Sequence, residues 1–196
     1  MPAIEFADVV STFHKGSDSL TQFFAEQERS DNEMLSAFDA IDQFLIIAEE
    51  SAANSAQHEY FNERANELIL LIDRLMVFSS QMQHQETFSY FEECLFLFTL
   101  WFASVGGIIS KLIPLVNLIA AMSNRLRDQD SLKQLLANIE NIIHATEQSI
   151  QDDMDDRDPR RPWRVLLLNY AITATRTHDP VLMDKTFQFL IKNLPD

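Results

Sequence analysis

Glu140, His144 and Glu147 stand four and three residues apart, so a single helix would carry them on one face, as a divalent metal requires of its ligands. That face lies about 100° to 140° from the middle of the stripe formed by Leu132, Leu135, Leu136, Ile139, Ile142, Ile143 and Ile150. It therefore looks into solvent, whereas metal sites in helical bundles project their ligands inward. His14, His58, His84 and His178 fall in other segments, and no histidine completes an HExxH or ExxH pattern. Asp152, Asp153, Asp155 and Asp156 offer clustered carboxylates, but without the alternation, central glycine and closing glutamate of a calcium loop. Cys94 opens an apolar run beside Glu92 and Glu93, surroundings that suppress the thiolate and favour a buried, inert thiol. There is no GxSxG elbow, phosphate loop or dinucleotide fingerprint. The expectation is a non-catalytic chain with no cofactor and no metal site.

One cluster suits recognition. Arg160, Arg161 and Arg164 surround Trp163, and Arg and Trp are enriched among the residues that dominate binding energy. These four are the candidate partner-binding residues. The competing reading packs Trp163 inward as the first anchor of its helix while the arginines neutralise nearby aspartates.

The elements that must position these groups are helical. Only three glycines and six prolines in 196 residues argue against the many tight turns of a sandwich or barrel. Ser30 and Glu33 have capping-box spacing ahead of Met34, Leu35, Phe38, Ile41, Leu45 and Ala48, which predicts a helix from about Asp31 to Ser51. Asn54 with Gln57 then starts a helix through Phe61, Ala65, Leu68, Ile72, Leu75 and Met76. Two shorter helices are expected upstream, near residues 3–14 and 18–28, separated by Gly16. Residues 86–105 are too rich in aromatic groups for one stripe, and Gly106-Gly107 offers a break before a second apolar helix to about Arg127, with Pro114 in its interior or its first turn. Asp130 or Ser131 would cap a helix reaching Ile150. An acidic loop over residues 152–161 precedes a last helical hairpin at 162–194, opened by Pro162 and by Asp179-Pro180.

The sum is an all-α chain, one domain over residues 1–196, of about nine antiparallel helices. It forms either an irregular stack of helical hairpins or a multilayer bundle with a buried apolar central hairpin. Trp163, Leu166 and Tyr170 have the spacing of the first helix of a tetratricopeptide repeat, and this half repeat resembles that family. Asp179, Met183 and Thr186 depart from the pattern of its second helix. No second copy stands upstream, so the resemblance covers half a repeat, tips the choice toward a hairpin stack of TPR-like superhelical form, and carries no ligand residues.

The uncharged run from Cys94 to Ser110 falls short of the roughly 20 apolar residues that a membrane span needs, so burial in the core is the favoured reading. Ala103 and Gly107, four apart, would also allow close approach of another helix, which leaves a homodimer open. The amino terminus shows no basic region followed by an apolar stretch and cleavage site, and the single cysteine agrees with a reducing compartment. Both point to the cytoplasm. The net charge of -15 repels phosphate backbones, which disfavours nucleic acid and favours a basic protein partner. Residues 1–60 hold 12 acids and 2 bases, and residues 159–196 hold 3 and 6. Function is expected to be that of a protein–protein interaction module, an adaptor or chaperone-like helical scaffold. The alternatives are an acidic inhibitor or immunity-type protein acting on a basic target, and a helical ligand- or metal-binding protein.

Overall fold

Hydrophobic spacing, caps and prolines divide the chain into helices joined by short links. A computed structural model describes residues 4–28, 32–52, 58–152 and 161–194. Among the described residues there are nine helices and no strand, only an isolated parallel bridge between Ile109 and Thr146. The chain is all-α. Its contacts separate into two compact units, Met1–Gly107 and Ile108–Asp196.

The first unit holds α1 (Phe6–Glu26), α2 (Asn32–Ala52), α3 (His58–Gln81) and α4 (Gln85–Ser104). α4 packs along both α1 and α3, and α2 lies chiefly on α3. This central place explains why α4 needs apolar side chains on nearly every face of its second half, where Cys94 to Phe102 are buried except for Leu97. Phe98 and Phe102 stack at 6.0 Å, Phe61 meets Phe102 edge-on at 5.6 Å, and Phe6 lies 4.2 Å from Trp101. Such ring pairs each add about 0.5–1.5 kcal/mol to simple burial.

Gly16 does not break the first helical segment: α1 runs through it without interruption. A Cβ on Gly16 would stand 2.8 Å from Cε1 of the fully buried Phe91, so the glycine lets α1 approach α4. The two short helices expected here are one. The proposed caps Ser30, Asn54 and Gln57 lie outside the described residues.

The second unit holds α5 (Ile113–Arg125), α6 (Gln129–Ala145), α7 (Gln148–Gln151), α8 (Pro162–Arg176) and α9 (Pro180–Asn193). α8 is its hub, packing against α5, α6, α7 and α9. Pro114 sits in the first turn of α5, where its missing N–H has no helical partner to lose. α6 is capped by Asp128, which accepts from the Ser131 amide at 2.8 Å, rather than by Asp130 or Ser131. It also stops at Ala145, short of Ile150. The Ile109 amide donates to the Ala145 carbonyl at 2.8 Å, and the Glu147 amide donates to the Ile109 carbonyl at 2.9 Å. These bonds draw the backbone out of the helix at Thr146 and restart it as α7. Asp179 accepts from the Val181 and Leu182 amides and caps α9, as its position before Pro180 anticipates.

The apolar block is buried on both sides of Gly107: Phe98 and Phe102 in the first unit, Leu115 and Ile119 in the second. Arg176 closes the end of α5, donating to the Leu126 carbonyl at 2.7 Å and to Ser123 Oγ at 3.3 Å. Arg176→Met keeps the length of the side chain and strips that carbonyl of its charged donor. The expected loss is about 1–2 kcal/mol, read by urea denaturation; an unchanged midpoint would assign the end of α5 to packing alone.

Candidate functional site

Of the residues singled out for recognition, Trp163 is 2% exposed and Arg161 8% exposed. Trp163 anchors the start of α8 in the core, and Arg164 is half-buried. Arg160 lies outside the described residues. An exposed Arg-Trp patch is therefore without its aromatic member, which the packing of α8 has taken.

The Glu140, His144 and Glu147 face is not assembled. Glu147 falls beyond the end of α6, with extended backbone at φ -55° and ψ 136°. Glu140 Oε1 accepts from Lys185 Nζ at 2.6 Å and lies 4.0 Å from His144 Nε2. The carboxylate already holds an ammonium where a metal would bind, and hydrogen bonding to it raises the Lys185 pKa above its ordinary value. Beside this pair, a cleft of about 270 Å³ is lined by Tyr170, Gln188 and Phe189, and burial pushes the Tyr170 phenol up. Among the described residues no three His, Cys, Asp or Glu side chains are placed to hold one ion. Of the aspartate cluster only Asp152 is described, and it accepts from Gln148 Nε2 at 2.8 Å.

Cys94 is fully buried, its thiol 3.9 Å from the Val9 carbonyl. Burial first, and Glu93 second, push its pKa up to about 12 from the ordinary 9.0. A thiol so held offers almost no thiolate at neutral pH. The folded value lies above the unfolded one, so this stabilising term is complete below pH 9.0 and is lost as pH rises toward about 12. Native protein should therefore resist a thiol reagent at pH 8 and react stoichiometrically once unfolded in urea. Rapid labelling of the native state would contradict the burial.

An opening on the first unit has a different character. α1 and α2 meet at Phe13 and Phe38, ring centroids 6.0 Å apart, and at His14 Nε2 and Asp42 Oδ1, 2.8 Å apart. Each helix rests mainly on a different inner neighbour, α1 on α4 and α2 on α3. Between them a groove of about 900 Å³ is left. Ala7 and Val10 contribute apolar surface over the buried Phe6 and Leu45, and Ile46 stands at 73% exposure on the shoulder. Asp18, Asp42 and Glu49 supply carboxylates against a single lysine, Lys15, and the paired His14.

Sequence periodicity alone misses this groove, because the stripe of α2 from Met34 to Ala48 reads as complete without Ile46 and Ile47. That adjacent pair, off the stripe and both exposed, is the signal that was available. The charge of the chain also belongs mostly to this unit: residues 1–107 hold 18 acids and 4 bases, residues 108–196 hold 12 and 11. Among the described residues no helix is long and apolar enough to cross a membrane. Fold and groove thus define an all-α protein with an acidic first unit and an open, partly apolar cleft between its first two helices. No protein-family model, curated protein or solved structure matches the chain.

Proposed function

We propose that this chain is a non-catalytic protein–protein interaction module, an adaptor or chaperone-like helical scaffold acting in the cytoplasm. The observation that carries the reading is the α1/α2 groove, where apolar side chains remain open to solvent at the edge of a well-packed core. A partner that covers Ile46, Val10 and Ala7 removes apolar surface from water, the main source of affinity in such contacts. Stacked helical hairpins, of which the half repeat at Trp163 to Tyr170 is the sequence sign, commonly serve as such scaffolds.

A second reading, an acidic inhibitor of a basic protein, is favoured by the 18 acids against 4 bases in residues 1–107. Salt separates the two. The test is native capture with mass spectrometry, washed at about 0.1 M and about 1 M salt, which shortens the Debye length from about 10 Å to about 3 Å. The interaction module keeps its partner at high salt because apolar contact dominates. The inhibitor releases it. Capture of no protein at either salt would remove both readings.

A further inference from the structure

The groove between α1 and α2 has a length, a lining and a charge, and together these select the shape of what fits it. Its α1 wall runs from Phe6 to Asp18, a rise of about 18 Å at 1.5 Å per residue. That is about three helical turns. Phe6, Val10, His14 and Asp18 recur every four residues, so a helix lying alongside would meet them with its own positions i, i+4 and i+7. The opposite wall offers the exposed Ile46, above the buried Leu45, between Asp42 and Glu49, an apolar point bracketed by carboxylates.

We propose that this groove takes an amphipathic, basic helix of a partner protein, with apolar residues seated on Ala7, Val10 and Ile46 above the buried Phe6 and Leu45, and with lysine or arginine facing Asp18, Asp42 and Glu49. The inference rests on the interaction-module reading and names the partner's chemistry. Charge complementarity carries the choice of occupant: the groove has three carboxylates to one lysine, on a unit with 18 acids and 4 bases. The same charge repels an acidic helix, a nucleic acid or an anionic lipid surface. The His14–Asp42 pair crosses the site at 2.8 Å, with both side chains partly exposed. An incoming guanidinium reaches Asp42 on its solvent side and shares that carboxylate with the imidazole.

The probe is a synthetic peptide of about 18 residues, leucine at i, i+4, i+7 and i+11 and lysine on the flanks, titrated by fluorescence anisotropy against the full chain. A partner peptide with glutamate in place of lysine is the charge control. Ile46→Asp removes the exposed apolar shoulder without touching the core, and Glu49→Lys reverses one rim charge. Glu63→Lys makes the same charge change on an exposed position of α3, away from the groove. The expected result is binding of the lysine peptide alone, weakened about tenfold or more by Ile46→Asp and by Glu49→Lys and less than about twofold by Glu63→Lys.

Equal weakening by all three variants would overturn the inference, because it would describe a diffuse acidic surface. So would equal binding of the glutamate peptide. No binding at all would also overturn it, and light scattering on the same sample would then show whether a second copy of the chain covers the groove. The parent reading fails separately. A native partner whose capture is insensitive to Ile46→Asp keeps the interaction module and sinks only this site.

Discussion

Gly107→Ala is expected to destabilise the first unit by about 3 kcal/mol or more, the upper end of what overpacking costs. A Cβ at this position would stand 2.1 Å from Cε2 and 2.2 Å from Cδ2 of Phe102, where carbon atoms in contact need about 3.5–4.0 Å. The ring has nowhere to go. Phe102 is fully buried, stacked on Phe98 at 6.0 Å and met edge-on by Phe61 at 5.6 Å. Gly106 supplies the contrast, since its φ of +83° is costly for alanine but nothing lies within 4 Å of its Cβ position. Gly106→Ala should therefore cost only the backbone term, about 1–2 kcal/mol. Urea denaturation of the two variants ranks them. Phe102→Leu added to Gly107→Ala should recover part of the loss, because the two side chains compete for one space.

Phe98→Ala is expected to cost about 3–5 kcal/mol, the range for removing a buried phenylalanine. Phe98 is fully buried and contacts three other rings, with centroid distances of 6.3 Å to Phe44, 5.9 Å to Trp101 and 6.0 Å to Phe102. Its removal leaves a cavity among large flat groups on α2 and α4, which cannot collapse without separating the helices that hold them. Against a typical total of about 5–15 kcal/mol, that is a large share of the stability. The transition is read by urea denaturation, with Trp101 fluorescence as a local reporter in a Trp163→Phe background. A loss below about 1 kcal/mol would mean that the aromatic cluster is loosely packed.

These two effects lie in the part of the chain whose burial is legible from composition, and they show where legibility stops. That most of residues 94–102 must be buried follows from their lack of charge, and the starts of α8 and α9 follow from Pro162 and from Asp179-Pro180. Gly16 reads as a break because glycine ends helices more often than it lines their contacts. Its true use depends on Phe91, 75 positions away. The early end of α6 has the same kind of cause. Its pattern continues to Ile150, but the Ala145 carbonyl and the Glu147 amide are claimed by Ile109, a distant partner that no local window contains. Trp163 is compatible with both packing and display until α8 is placed. The α1/α2 groove depends on two helices choosing different inner neighbours, a choice that periodicity does not encode.

A partner docked in the proposed α1/α2 groove would lie within reach of a reactive group at position 46. A photoreactive benzoylphenylalanine in place of Ile46, with one in place of Ile172, exposed on α8 of the second unit, as control, reads this in the protein's native extract. A cross-linked protein adduct from position 46 that position 172 does not give is the expected result. An adduct from position 172 alone, or none from position 46 while a partner is still captured, would contradict it.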